Sequence, residues 1–278
     1  MLRSPSLQAI AVRSPQGEIH TETIALSSTR RRKLWSFPVF RGMAALYDAL
    51  SGAVGALQRS AQLLDPQEEI STQELGKAVA LALGLAIGLF FVLPSLLMVP
   101  LSRYLGWGAV AINLGEGLIR VLLFISYLLA VGKTPDIRTT FSYHGAEHKV
   151  IHCYEAGGEM TPQGVGAYSR FHRRCGTSFM LLVMVVGILL FSLFTPESIL
   201  QRLVLRVLLL PILAGLTYEV VRFTSTRDNW LVRLITLPGL ALQRLTTREP
   251  DSAQLEVALA ALFCIVDPAS LEGYNESV

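Results

Sequence analysis

Four of the five histidines in this sequence, His144, His148, His152 and His172, fall in one polar segment with Glu147, Cys153, Glu155 and Cys175. Imidazole, thiol and carboxylate are the side chains that bind transition metals and move protons near neutral pH. His144, Glu147 and His148 form H-x-x-E-H, the reverse of the H-E-x-x-H zinc motif. On a helix the two histidines stand one turn apart on one face and can share an ion. Glu147 lies on the same side, placed to act as general base on a water. His152 extends the series by another turn. Each four-residue step drifts by about 40° and rises about 6 Å, which separates it from His144 too far for one shared ion. It reads as a group supporting the ligands, a ligand to another ion, or a surface residue.

A third ligand has to come from elsewhere in the chain. His172 and Cys175, spaced i, i+3, share a face if their segment is helical. Glu219 is the other candidate, because metal sites of this kind draw a later Glu from another helix. Arg222, one turn on, offers Glu219 a simple ion pair instead. A hydrogen-bonded polar cluster is the plainer account of the whole segment, and the density of His and Cys favours a divalent ion over it. Zinc is the first choice, with iron and manganese as the other suitable ions.

These residues must be positioned by elements of a membrane protein. Hydrophobic residues make up 51 % of the chain, charged residues 16 %, and the mean hydropathy is +0.47. Apolar runs at 78–101, 107–131, 177–194 and 203–221 account for the excess, and a spanning helix needs about 20 mostly apolar residues. The links within the two pairs carry only Arg103 and Arg202, whereas the segments before, between and after the pairs are rich in Lys and Arg. The positive-inside rule then puts both termini and the histidine segment on the cytoplasmic side of a bacterial membrane, or the stromal side in a plastid. The net charge of +3 follows from topology and anionic headgroups; no nucleic-acid motif is present. In a reducing compartment Cys153, Cys175 and Cys264 are expected as thiols.

The expected class is mainly α: a polytopic helical membrane protein with about four transmembrane helices, amphipathic interfacial helices and a small N-terminal β element. Residues 1–34 hold that β element, with strands near 8–12 and 18–24 about a turn at Ser14 to Gly17, and a basic run at 30–33. Residues 35–76 hold an amphipathic helix, striped at Phe40, Met43, Tyr47, Leu50, Val54, Leu57, Ala61 and Leu64, and a linker. That helix fits the headgroup layer or packing on the bundle equally well. Spans one and two occupy 77–131, the His/Cys-rich segment 132–176, and spans three and four 177–222. Interfacial and cytoplasmic helices fill 223–278, with a break at Pro238-Gly239 and an N-cap at Asp251 facing Gln254. Within span two, Asn113, Glu116 and Arg120 share a face. Glu116 and Arg120 suit an internal i, i+4 ion pair or a polar pocket in the bilayer, and Arg206 in span four could snorkel outward.

The run Tyr143 to Lys149, with Arg170, His172, Arg174 and Cys175 to Ser178 after it, resembles the YqhQ-like family. Glu116, Gly117 and Arg120, then Tyr218, Glu219 and Arg222, and the stretches 245–250 and 255–258, extend the resemblance over nearly the whole chain. These are bacterial and plastid membrane proteins of unknown function, commonly labelled predicted metal-dependent enzymes. Members usually begin with a Gly-Gly-Gln-Ala-rich segment running into Met-x-Arg-Ser-Pro. Met1 to Pro5 looks like the end of that stretch, so the resemblance implies a longer native N-terminus.

The functional expectation is a membrane-embedded metal-dependent enzyme, a hydrolase acting at the cytoplasmic face. Glu147 is its catalytic base, and His144 and His148 its ligands with His172, Glu219 or Cys175. His152, Glu116 and Arg120 stand behind the site or line a pocket. Membrane lipids are the expected partners, and a lipid or a membrane-protein segment the substrate; an oligomer is compatible. The alternative is a non-catalytic metal- or haem-binding assembly factor, carrier or sensor. A di-iron desaturase calls for more histidines than five, and a transporter for repeats that the chain lacks.

Overall fold

The structure, a computed structural model, describes residues 1–266 apart from 5, 27–36, 65–70, 174, 195, 197, 226 and 228. The basic run at 30–33, Arg174 and the tail from 267 lie outside the described residues.

The chain is mainly helical. Three short strands, β1 (Leu2–Arg3), β2 (Leu7–Arg13) and β3 (Ile19–Ala25), form an antiparallel sheet in the order β1-β2-β3. The β2–β3 hairpin runs in register from Leu7↔Ala25 to Arg13↔Ile19, and its turn contains Gly17 at φ +95°, a conformation glycine adopts without steric cost. Among the described residues ten α-helices follow: α1 (Pro38–Leu64), α2 (Thr72–Ile87), α3 (Leu93–Leu105), α4 (Ala109–Val131), α5 (Pro135–Ala156), α6 (Pro162–Gly166), α7 (Gly176–Ser192), α8 (Ile199–Ser225), α9 (Trp230–Thr246) and α10 (Ser252–Phe263).

Among the described residues, three stretches are long and apolar enough to cross a membrane: Gln73–Met98, Val110–Val131 and Leu200–Thr224. Large apolar side chains cover their outer faces, among them Leu81, Leu85, Leu118, Leu122 and Leu208, each more than half exposed. A lipid environment accounts for such a surface; water does not. The fourth apolar run forms α7, whose 17 residues fall short of the roughly 20 that a full span needs, so three runs meet the length criterion where four were expected. In the first span a π-helical turn, Gly88–Val92, joins α2 to α3. Arg120 Nε donates to the Phe90 carbonyl there at 2.7 Å.

The polar contents of the bundle differ from the sequence expectation. Glu116 is fully buried and pairs across to α8, with Arg206 Nη2 and with Arg202 Nη1 at 3.6 Å; it does not pair with Arg120. Arg206 is 2 % exposed and also donates to Ser95 Oγ at 2.8 Å, so it does not snorkel. Arg202 donates to Asn113 Oδ1 at 2.7 Å, and Asn113 Nδ2 donates to the carbonyls of Phe191 and Phe194. Buried charges need partners, and α4 and α8 supply them to each other.

Helix α1 packs its N-terminal part on α8, where a Cβ on Gly42 would lie 2.7 Å from Gly215 Cα. Its predicted stripe nevertheless faces outward, with Phe40, Tyr47, Leu50, Leu57 and Leu64 exposed. One end of the helix thus packs on the bundle while the apolar stripe stays exposed. Around Pro238 the chain does not break into two helices, and α9 is continuous. The Asp251–Gln254 capping box is present at the start of α10.

Candidate metal centre

Helix α5 carries the motif. Pro135 at its first turn and Asp136 beside it suit a helix start, and Gly157 at φ +70° ends it. Ala146, Val150 and Cys153 are fully buried and pack on Leu255, Ala258, Leu259 and Leu262 of α10. These three residues lie about 150° around the helix from the histidines at 3.6 residues per turn, so burying one face presents the other. Close approach fixes the register: a Cβ on Gly145 would sit 2.0 Å from the Arg248 carbonyl oxygen, so only glycine fits against the 247–250 segment.

His144, His148 and Cys175 converge, with one ligand atom from each within 4.8 Å of the others. His144 Nε2 lies 3.2 Å from Cys175 Sγ, and the His144 and His148 rings stand edge to face at 4.4 Å. The other nitrogen of each ring is held by backbone. His144 Nδ1 meets the Thr246 carbonyl at 2.9 Å, His148 Nδ1 the Arg170 carbonyl at 2.6 Å, and His152 Nδ1 the Ser169 carbonyl at 2.8 Å. A carbonyl oxygen only accepts, so each Nδ1 carries the proton and donates it. In the neutral ring Nε2 then keeps its lone pair, which is the tautomer metal-binding histidines adopt.

Cys175 is the N-cap of α7, and Thr177 N–H donates to its sulfur at 3.4 Å. Burial opposes ionisation of this thiol, but hydrogen bonds with His144 and His148, whose Nε2 donates to sulfur only when the ring is doubly protonated, and with Thr177 outweigh burial and bring its pKa down to about 5. For His144 burial disfavours the charged form, yet pairing with Cys175 and the Thr246 carbonyl leaves its pKa above the ordinary value.

His172 does not join this trio. Its segment is a loop, so the i, i+3 face with Cys175 does not form. Gln243 grips the backbone of His172 on both sides, accepting from its N–H at 2.8 Å and donating to its carbonyl at 2.7 Å. The His172 ring lies 5.8 Å from that of His148 and 4.6 Å from that of His152, and its Nε2 is 3.4 Å from Glu155 Oε2. Burial, then the neighbouring His152, lowers its pKa. Glu219 stands apart, in a bidentate pair with Arg41 of α1. Glu116 and Arg120 belong to the bundle interior described above.

A cavity of about 310 Å³ opens over the cluster, its walls including His144, Glu147, His148, Glu155, His172 and Cys175. Glu147 reaches this wall with Oε1 2.5 Å from the Met1 amino nitrogen. Sequence reasoning gave no role to the carbonyls of Ser169, Arg170 and Thr246, or to Gln243 and Glu155. Backbone acceptors leave no signature in side-chain spacing, although Thr246 lies within the stretch 245–250 that carried part of the resemblance.

Helices suited to a membrane, with a His/Cys cluster at the head of one apolar helix, define a helical protein consistent with residence in a membrane. The family model described as protein of unknown function (DUF1385) matches residues 37–267, and the chain belongs to that family. It is 35 % identical over 257 residues to the uncharacterized protein YqhQ of Bacillus subtilis (strain 168), covering 86 % of this chain and 80 % of that protein. No solved structure matches.

Proposed function

We propose that this protein is a membrane-embedded metal-dependent hydrolase whose ion, zinc before iron or manganese, is held by His144, His148 and Cys175. The supporting observation is the donor set: two imidazoles clamped at Nδ1 by carbonyls and one thiol, ligand atoms within 4.8 Å. Two nitrogens and a sulfur suit zinc, with about 2.0 Å to nitrogen and 2.3 Å to sulfur, and leave a fourth position open. Manganese prefers oxygen donors. An ion held there supplies Lewis-acid polarisation of a substrate carbonyl or phosphoryl oxygen. Glu147, on the same cavity wall, takes the proton of the attacking water. The cluster joins the middle of α5 to the start of the apolar helix α7, so lipids or membrane-protein segments are the substrates within reach. The basic residues that flank the apolar runs support an orientation with this end, and both termini, on the cytoplasmic or stromal side.

One observation favours a second reading. Cys175 Sγ lies 3.2 Å from His144 Nε2 at the start of a helix, an arrangement that also serves a thiol nucleophile with its base. The experiment is cobalt substitution of untagged, detergent-purified protein beside Cys175→Ala and Glu219→Ala. A thiolate-to-cobalt charge-transfer band in the wild type and in Glu219→Ala, absent in Cys175→Ala, is the expected result. Folded wild-type protein that takes up neither cobalt nor zinc sinks the metal reading and leaves the nucleophile. A Soret band in the protein as purified points to the haem-binding alternative.

A further inference from the structure

We infer that the molecule carries an anion site apart from the His/Cys cluster: a cavity walled by Arg138, Arg170 and Arg248 that takes a phosphate group, borne by a lipid headgroup or free in solution. The cavity has a volume of about 490 Å³, within the range of about 300–1,000 Å³ usual for ligand sites. None of its lining residues lines the cavity over the cluster, so the inference stands or falls independently of the metal. The three arginines come from separate stretches: the start of α5, the loop before α7 and the segment between α9 and α10. Orientation signals need only positive charge near the end of a span. Three guanidiniums from distant stretches closing on one concavity go beyond that.

Two of the three are set in place by backbone carbonyls. Arg170 Nη1 donates to Thr247 at 3.0 Å, and its guanidinium lies over the Phe171 ring at 5.0 Å. Arg248 Nη2 donates to Gly132 at 3.2 Å. A guanidinium has five N–H donors, so both keep others for a ligand. Arg138 is exposed, and its guanidinium has no partner among the described residues. The acid on the wall, Glu249, lies 3.0 Å from Lys149 Nζ and 3.7 Å from Arg170 Nε. Lys149 answers that carboxylate, and the three arginines leave the wall positive. The hydroxyls of Thr139 and Ser142 donate to carbonyls of α5 itself. Gln254 accepts from the Asp251 N–H with its Oε1, which leaves its amide N–H groups as further donors. The wall therefore offers N–H donors and positive charge, the pairing that phosphate oxygens match in bidentate fashion.

The bond from Arg248 also fixes the level of the cavity. Gly132 caps α4 and directly follows the apolar stretch Val110–Val131. Headgroup phosphates lie at the end of such a stretch, and basic pockets beside membrane helices hold them.

The test uses untagged full-length protein in phosphate-free detergent buffer and two probes. Inorganic phosphate is titrated by calorimetry, and phosphatidic acid is set against phosphatidylcholine of the same acyl chains in native mass spectrometry. The expected result is one phosphatidic acid per chain, retained in preference to phosphatidylcholine. Arg138→Gln should weaken binding by about 10-fold or more, as loss of a charged hydrogen-bond donor does. Arg244→Gln removes the same charge from an exposed position outside the cavity and should change nothing. Inorganic phosphate bound as tightly as the lipid, with the same response to Arg138→Gln, assigns the site to the free anion. Equal losses in the two variants show diffuse surface charge and overturn the site. Equal retention of the two lipids without phosphate binding, or no binding of either probe, overturns it as well.

Discussion

At Cys175 the sulfur has a pKa of about 5 while Cys153, fully buried, has its thiol pushed up by burial. Alkylation by iodoacetamide should therefore single out Cys175. At about pH 6 a thiol near the ordinary value of about 8.5 is almost wholly protonated, whereas Cys175 is already thiolate. In a Cys264→Ser background, peptide mapping should find Cys175 modified and Cys153 spared, with the rate falling below about pH 5. Zinc should protect it. His144 moves the other way: its pKa is raised above 6.5, so below that pH it carries a proton that a metal must displace. Zinc affinity should rise with pH until His144 is neutral and then level off, with Cys175 releasing no proton over that range. Calorimetry in buffers of different ionisation enthalpy measures the release. Glu147→Gln should keep metal while losing turnover, and normal turnover would remove Glu147 from the role of base. His144, Glu147 and His148 were legible as candidates from side-chain type and spacing on one helix, whereas Cys175 was reached through a helical pairing with His172 that the loop does not form. Glu219 was misplaced as a ligand candidate because its competitor, Arg41, lies far away in the chain and meets it only through the packing of α1 on α8.

Helix α5 works as a two-faced element, apolar residues seated on α10 and histidines turned to the cavity. The contact that sets its depth is Gly145 on the Arg248 carbonyl. Gly145→Ala adds a methyl where no space exists, and overpacking of this kind costs about 1–3 kcal/mol. The displaced segment begins next to Thr246, whose carbonyl orients His144, so metal affinity should fall by about 10–100-fold as for other lost outer contacts. A thermal melt with and without zinc separates the two effects: a larger loss of Tm in zinc than in chelator marks the site, equal losses mark packing alone. The sequence disclosed the elements whose pattern is local, such as the Ser14–Gly17 hairpin turn and the Asp251–Gln254 cap. It misled at Pro238, because packing against α7 carries α9 through a residue that would break an isolated helix. The loop at 169–175 was likewise illegible, since its shape is set by Gln243 on another helix.

Across the whole molecule two polar centres occupy different places. The His/Cys cavity lies between the middle of α5 and the start of α7, and the Glu116 network lies within the bundle between α3, α4 and α8. Removing one partner from a buried ion pair costs about 3–5 kcal/mol, because the remaining charge is stranded. Glu116→Ala strands two guanidiniums, Arg202 and Arg206, and should lower detergent-solubilised stability accordingly while leaving a folded fraction able to bind zinc. Loss of zinc without loss of stability in that variant would tie the two centres together. The sequence showed that Glu116 sits in an apolar run, but its partners lie about 90 residues away on α8, beyond any helical spacing rule.

That pairing also bears on how the chain is made. As α8 leaves the ribosome it presents Arg202 near its start and Arg206 a turn further in, and an arginine costs up to about 2.5–3.5 kcal/mol against partition as it nears the centre of a span. Helix α4, synthesised earlier, holds Glu116, the carboxylate that pairs with both. Entry of α8 into lipid is thus contingent on α4 still waiting beside the translocon with its acidic face uncovered, and biogenesis of the last long span becomes a paired event, not a solitary one.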